Sequence, residues 1–426
     1  MSLGKLTVNA REDGFLCDGK PFFWFADTCW SAFTSITEAD WDYYLTRRAE
    51  QGMNVLQVNT LPQWDRCLPD LGIWPYASED GVHFNWSAPN QEYWDRARRM
   101  CQAAVEHGIR PALVLMWCNY VPGTWGSMIA ERTGAEVMPR SEVRRHVARV
   151  VENLGEFDPV YVVTGDTDFA GDEAIAYYED ALDEVVKRAP EALRTMHINR
   201  ANRTIPAQYL DRLDFYMFQP GHNYEGQPEA WRLPQDFIAN YPKKPMVNSE
   251  PCYEQMGASR NVYWRFTAQD CRASVWSSIL AGASAGITYG AHGVWNWQTS
   301  QSRGSVLGEG FDMPFRWQEC LQFAGVWDFG LIEHVLRGLG AAAGDDAREA
   351  IRVARVGERV VVYLPRTTAV KLKLEGGVTA WNAVAFDLEI KRVANLPVAS
   401  VDGDGEIRVA QHPFEHDALL VVSPAK

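Results

Sequence analysis

The sequence predicts an α/β chain: a TIM (β/α)8 barrel over residues 1–335 and a small all-β sandwich domain over residues 336–426. Three observations carry this expectation. Between residues 20 and 300, eight short apolar runs of strand composition recur, and longer amphipathic stretches separate them. After a Gly/Ala/Asp-rich break at 338–347, the pattern changes to closely spaced short strands.

Strand one is PFFWFAD (21–27), followed by a helix over TEADWDYYLTRRAEQG (37–52) that Thr37 and Glu38 open and Gly52 closes. NVLQVNT (54–60) leads to the helix QEYWDRARRMCQAAVEHG (91–108), and RPALVLMW (110–117) to SEVRRHVARVVENLG (141–155). VYVVTGD (160–166), strand four, precedes GDEAIAYYEDALDEVVKRA (171–189). RTMHIN (194–199), DFYMFQ (214–219) and KPMVNSE (244–250) are strands five to seven, and TAQDCRASVWSSILAGASAG (267–286) is the helix before strand eight, GITYGAHGVW (286–295). Near-continuous apolar strands alternating with helices indicate a parallel sheet covered on both faces. A Rossmann sheet is the rival, but no G-x-G-x-x-G follows strand one and no P-loop occurs; GASAG (282–286) ends a helix instead of opening one. A helix at 314–332 precedes the break. Beyond it AIRVARVG, RVVVYLP, AVKLKL, VTAWNAV, IRVA and ALLVVS, with turns at EGG and DGDG, read as the sandwich.

The net charge of −14 and pI near 5.2 disfavour nucleic acid or an anionic membrane as partners. The longest apolar stretches, such as ALVLMWC (112–118), fall far short of the ~20 residues that span a bilayer. The N-terminal residues carry no apolar leader segment, and the eight cysteines show no CxxC spacing; both suit a reducing, cytoplasmic setting.

In a TIM barrel the chemistry lies at the C-terminal ends of the strands, so the residues there are read as lining one mouth. Strand one ends in Asp27, Thr28 and Trp30; strand two in Asn59, Gln63 and Trp64; strand three in Trp117 and Asn119, with Trp125 beyond. Asp166 and Asp168 follow strand four, His197 and Asn199 strand five, Gln219 and His222 strand six, Glu250 and Tyr253 strand seven, and Tyr289, His292, Trp295 and Trp297 strand eight. Aromatic faces beside Asn, Gln, His and acids suit a carbohydrate, apolar on its C–H faces and hydroxylated at its edges. Strands four and seven stand on opposite sides of the mouth, so Asp166 and Glu250 are placed to face each other across a glycosidic bond. Cleaving that bond needs one carboxyl group to protonate the leaving oxygen and another to attack or to activate water. Glu250, fixed by its strand and by Pro251, is the better nucleophile; Asp168 shares the parity of Asp166, and the pattern TGDTDF does not choose between them. Asp27 is either a substrate ligand or an acceptor for Arg47 or Arg48. Without H-E-x-x-H, or H-x-H after strand one, neither metal nor cofactor is expected, and Cys29, Cys118 and Cys252 read as small buried thiols.

The segments LCDGKPFFWFADTCWSAF, YLTRRAEQGMNVLQV, VVTGDTDF, KPMVNSEPCYE and SILAGASAGITYGAHGVWNW resemble the apiosidase-like glycoside hydrolases over about residues 5–335. The C-terminal residues 345–426 look like the small β-domain of putative collagen-binding type that often accompanies that family. The resemblance implies a retaining hydrolase acting without cofactor, with acid/base at Asp166 and nucleophile at Glu250. The family's usual strand-four ending is of Gly-Gly-Asp type; here it is Thr164-Gly165-Asp166, followed by Asp168. Characterised relatives are linked to apiose in plant pectin and are generally exported. A small neutral oligosaccharide or glycoside suits this acidic chain equally well.

Overall fold

A computed structural model describes residues 3–133, 136–259, 262–299, 313–339, 343–347, 351–374, 380–400 and 406–425. Eight parallel strands form the barrel: β1 (Trp24–Thr28), β2 (Val55–Asn59), β3 (Arg110–Trp117), β4 (Val160–Gly165), β5 (Arg194–Thr195), β6 (Tyr216–Phe218), β7 (Met246–Asn248) and β8 (Gly286–Tyr289). They pair in the order β5-β4-β3-β2-β1-β8-β7-β6. No ladder joins β5 to β6 among the described residues. That seam is laced by the Asp214 N–H donating to the Arg194 carbonyl at 3.0 Å and by Thr195 Oγ1 donating to the Phe215 carbonyl at 2.7 Å. The barrel strands are buried along their whole length, with only Arg194 of β5 half-buried, as a sheet covered on both faces requires.

The outer helices include α1 (Glu38–Glu50), α2 (Gln91–Glu106), α3 (Trp125–Thr133), α4 (Arg140–Leu154), α5 (Asp172–Arg188), α6 (Glu229–Asn240), α7 (Ala268–Leu280) and α8 (Gly325–Leu339). Several begin where the sequence supplies a cap: Thr37 accepts from the Asp40 N–H, Asn90 from the Glu92 N–H, and Thr267 with Asp270 forms a reciprocal capping box. Each α1 residue that packs inward (Trp41, Tyr44, Leu45 and Arg48) lies three or four positions from another, the spacing that lines up one helical face.

Three local expectations need correction. The run at 21–27 is divided: Lys20–Phe22 belongs to a small antiparallel sheet with Leu6–Val8 and Phe15–Cys17, and only its second half enters the barrel as β1. The expected helix at 314–332 is a short turn of helix at Trp317–Cys320 followed by α8. The break at 338–347 is helical to Leu339 and a strand over Ala343–Ala347; residues 340–342 lie outside the described residues, as do the EGG and DGDG turns.

The C-terminal strands form a six-stranded and a three-stranded antiparallel sheet. Alternation along two paired strands divides their duties. Val360, Val362, Leu420 and Val422 build the sandwich's own core, whereas Val361, Tyr363 and Leu419 join the barrel's core cluster. At this junction Arg272 of α7, 2% exposed, donates to Asp417 at 2.7 and 3.2 Å and to Glu389 at 3.2 Å, both from the β-domain, and also to Asp328 of α8. Among the described residues no helix is long and apolar enough to cross a membrane.

Candidate active site

The C-terminal ends of the barrel strands surround a cavity of about 460 Å³, within the range that takes small ligands. Glu250 lies two residues past β7 and enters this cavity almost fully buried. His222, from the loop after β6, donates from Nε2 to Glu250 Oε1 at 2.8 Å. His197, just past β5, brings its Nε2 within 3.1 Å of the other carboxylate oxygen. Burial alone would raise the pKa of Glu250. The donors that His197 and His222 turn toward it outweigh burial and draw it down from 4.5 to about 2. A carboxylate so held is ionised at neutral pH.

Asp166 lines the same cavity from the end of β4. Its backbone is left-handed, with φ +53°, a conformation that costs a non-glycine residue on the order of 1 kcal/mol and persists where neighbours impose it. Three hydrogen bonds impose it here. The Asp166 N–H donates to His197 Nδ1 at 3.1 Å, Trp125 Nε1 donates to the Asp166 carbonyl at 2.7 Å, and Gln219 Nε2 donates to Oδ1 at 2.6 Å. Because Nδ1 of His197 accepts, its ring proton sits on Nε2, facing Glu250. A single imidazole therefore bridges the backbone of one acid and the carboxylate of the other. Gly165 leaves room for the Trp117 ring, into which a Cβ at that position would run.

The aromatic wall comprises Trp30, Trp64, Trp117, Trp125 and Trp295. Trp30 packs edge-on to Trp117 at 5.1 Å and donates from Nε1 to the Tyr253 hydroxyl at 3.0 Å. Tyr253 also contacts the His222 ring at 4.1 Å, and burial followed by the Glu250 charge holds its pKa well above the usual phenol range. The close approach of Tyr253 depends on Gly290, where any Cβ would overlap its ring.

Of the residues placed at the mouth from sequence, Glu250, Asp166, Trp30, Trp64, Trp117, Gln219, His222, Tyr253 and Trp295 line the cavity, with Gln63, Trp125 and Asn199. Others stand elsewhere. Asp27 faces outward and binds Arg48 Nε and the Tyr44 hydroxyl, at 2.6 and 2.7 Å, in a buried cluster; burial raises its pKa against the pull of Arg48. Tyr289 also faces away, donating to Glu254 at 2.6 Å. Glu254 in turn accepts from the Gly325 N–H at the start of α8, so the second acid of EPCYE caps a helix. Trp297 stacks on Trp317 at 4.4 Å, and His292 accepts from Trp295 Nε1 at 3.2 Å, positioning a wall residue without lining the cavity itself. Asn59 donates to Gln63, Asn119 is buried in the turn after β3, and Asp168 accepts from the Trp125 N–H at 3.4 Å; none of these three lines the cavity. Asp65, Arg200, Gly221, Asn223 and Met256 line it without having been anticipated. All five sit on loops, where strand periodicity gives no signal, although Asp65 adjoins Trp64 and Asn223 adjoins His222.

An eight-stranded parallel barrel whose mouth sets carboxylates among indole faces suits the cleavage of glycosides, and comparison with known proteins agrees. Residues 12–342 match the family model described as "Apiosidase-like, catalytic domain", and the chain belongs to that family. It is thus a glycoside hydrolase. Similar solved structures include one described as a glycoside hydrolase, with a TM-score of 0.77 and 21% identity, covering 99% of this chain and 97% of that one. A glycoside hydrolase family 5 protein from Bacteroides vulgatus ATCC 8482 has the same score and identity, over 99% and 93%. A family 5 mannosidase from Rhizomucor miehei, in complex with mannosyl-fructose, is more distant, at TM-score 0.52 and 13% identity over 79% and 99%. These likenesses concern the fold. No curated protein sequence matches the chain.

Proposed function

We propose that the protein hydrolyses an O-glycosidic bond with retention of configuration, with Glu250 as nucleophile and Asp166 as acid/base. The observation that carries this reading is the Glu250 carboxylate, kept ionised between His197 and His222 in a cavity that Asp166 also lines. Glu250 attacks the anomeric carbon as Asp166 protonates the departing oxygen, so the C–O bond breaks and a glycosyl ester forms. Water then attacks the same carbon, giving its proton to Asp166, and Glu250 leaves. Two inversions restore the configuration. Among the described residues the indole N–H groups of Trp64 and Trp117 have no protein partner, and a sugar hydroxyl would satisfy donors that are costly to leave buried and unpaired. Family membership makes apiosides and other pentosides the first candidates for the glycone.

Asp166→Ala supplies the test. It should retain turnover of aryl glycosides with good leaving groups, lose it on poor ones, and recover with azide, yielding a glycosyl azide of retained configuration. If Asp168→Ala behaves this way instead, the acid lies two residues further on.

The histidine clasp has a pH signature. Removing His222 deletes one of the bonds that lower the Glu250 pKa, so the acidic limb of kcat/KM for His222→Ala should move to higher pH than in the wild type. An unmoved limb would count against the clasp. Because the folded-state pKa of Glu250 is depressed, its contribution to stability is complete above pH 4.5 and is lost as pH falls from there through about 2.

A further inference from the structure

Beyond the lip of the cavity, next to Asn223 and Met256, stand two aromatic side chains that the mechanism does not use. Tyr224 begins a turn of 3₁₀ helix immediately after Asn223 and is 54% exposed. Trp264 lies on the hairpin formed by Gly257–Ser259 and Val262–Arg265, which rises from Met256. The two rings meet edge to face at 5.3 Å, and Trp264 is backed by Phe266 at 5.8 Å. The base of the hairpin is pinned: the Gln255 N–H donates to the Phe266 carbonyl at 2.8 Å, the Phe266 N–H to the Met256 carbonyl at 2.9 Å, and Arg265 Nη1 to the Gln255 carbonyl at 2.5 Å.

Resting on the hydrolase reading above, we propose that Tyr224 and Trp264 form an outer subsite that stacks a sugar ring attached to the glycone, so that the protein cuts oligosaccharides in preference to single-residue glycosides. The proposal also assigns the end of the substrate that lies there. Trp64 and Trp125 pair at 6.3 Å beside β2 and β3, Trp125 Nε1 donates to the main-chain carbonyl of Asp166, and the proposal seats the leaving group on that side. In the strand order, β6 and β7 lie opposite β2 and β3. A saccharide running from one aromatic pair to the other crosses both carboxylates, and its glycone end reaches Tyr224 and Trp264. Single exposed aromatic residues are ordinary on protein surfaces, but a rigidly mounted pair continuous with a cavity lining is the form that sugar C–H faces stack against.

The experiment compares 4-nitrophenyl glycosides with one or two sugar units in the glycone, using the monosaccharide that an aryl glycoside panel identifies. The wild type should favour the two-unit substrate. Tyr224→Ala and Trp264→Ala should each lower kcat/KM on that substrate about tenfold, leaving the one-unit rate within about twofold of wild type. Equal losses on both substrates, no loss on either, or a wild type indifferent to length would overturn the subsite while leaving one-unit hydrolysis, and so the hydrolase reading, standing. A wild type silent on every aryl glycoside would overturn the retaining-hydrolase reading, and the subsite with it.

Discussion

Glu250→Gln should lower the turnover of an activated aryl glycoside by roughly 10⁴-fold or more, the scale seen when a nucleophile is removed from an otherwise intact site. The substitution preserves shape and removes the charge. It also places an amide between His197 and His222, both of which now direct hydrogen-bond donors at a carboxylate. An amide accepts through one oxygen only, so its NH2 group faces a donor, and one histidine must change tautomer or turn. For His197 this is costly, because the Asp166 N–H already occupies its Nδ1. The predicted outcome is lost chemistry with a modest loss of stability, and retained affinity for the oligosaccharide by calorimetry. Residual kcat above about 1% of wild type would remove Glu250 from the nucleophile's place, since a lost nucleophile costs far more than a hundredfold.

Arg272→Ala should be strongly destabilising, costing about 3–5 kcal/mol in urea denaturation, as expected when one member of a buried ion pair is deleted. Arg272 satisfies Asp417, which is fully buried, and Asp328, which is nearly so. Without the guanidinium, these carboxylates remain in low dielectric, with Lys391 near Asp328 as partial compensation. Because Asp417 and Glu389 belong to the β-domain and Asp328 to α8, the variant should also become sensitive to proteolysis between the two domains. Loss of an exposed pair such as Arg99–Glu38 should cost no more than about 1 kcal/mol. A denaturation curve for Arg272→Ala that coincides with wild type would show that the junction does not depend on this residue.

Much of the barrel was legible because buried parallel strands are apolar on both faces and stand out as continuous runs. α6 was not: Pro234 interrupts EAWRLPQDFIAN and reads as a breaker, yet the helix continues through it because its apolar face, Ala230, Leu233 and Phe237, is buried against the barrel. At the site, reading from strand ends placed Asp166, Glu250 and the aromatic wall at the cavity. It failed where parity mattered. Asp27 and Tyr289 belong to β1 and β8 themselves, and their side chains point to the helical layer, where Arg48 and Glu254 wait. Loop residues such as Asp65 and Arg200 owe their places to tertiary contacts: the Arg200 stem, for instance, occupies the space that a Cβ on Gly221 would need. No local pattern encodes such contacts.

The lacing between β5 and β6 bears on how a bulky sugar gains entry. Seven of the eight junctions between staves are ladders, whereas this one is held by scattered bonds, several of them from side chains, among them Thr195 Oγ1 to the Phe215 carbonyl, the Arg194 N–H to Asp214 Oδ2 at 2.8 Å and Gln219 Nε2 to the Ile198 carbonyl at 3.0 Å. Breathing of the mouth is therefore cheapest along this line. Asn199 and Arg200 follow β5 and would travel with it, whereas Gln219 and His222 are tied to the two carboxylates. Asp166 and Glu250 stand beyond β4 and β7, each laddered on both sides, so the anchors of the chemistry stay put while the gate beside them yields.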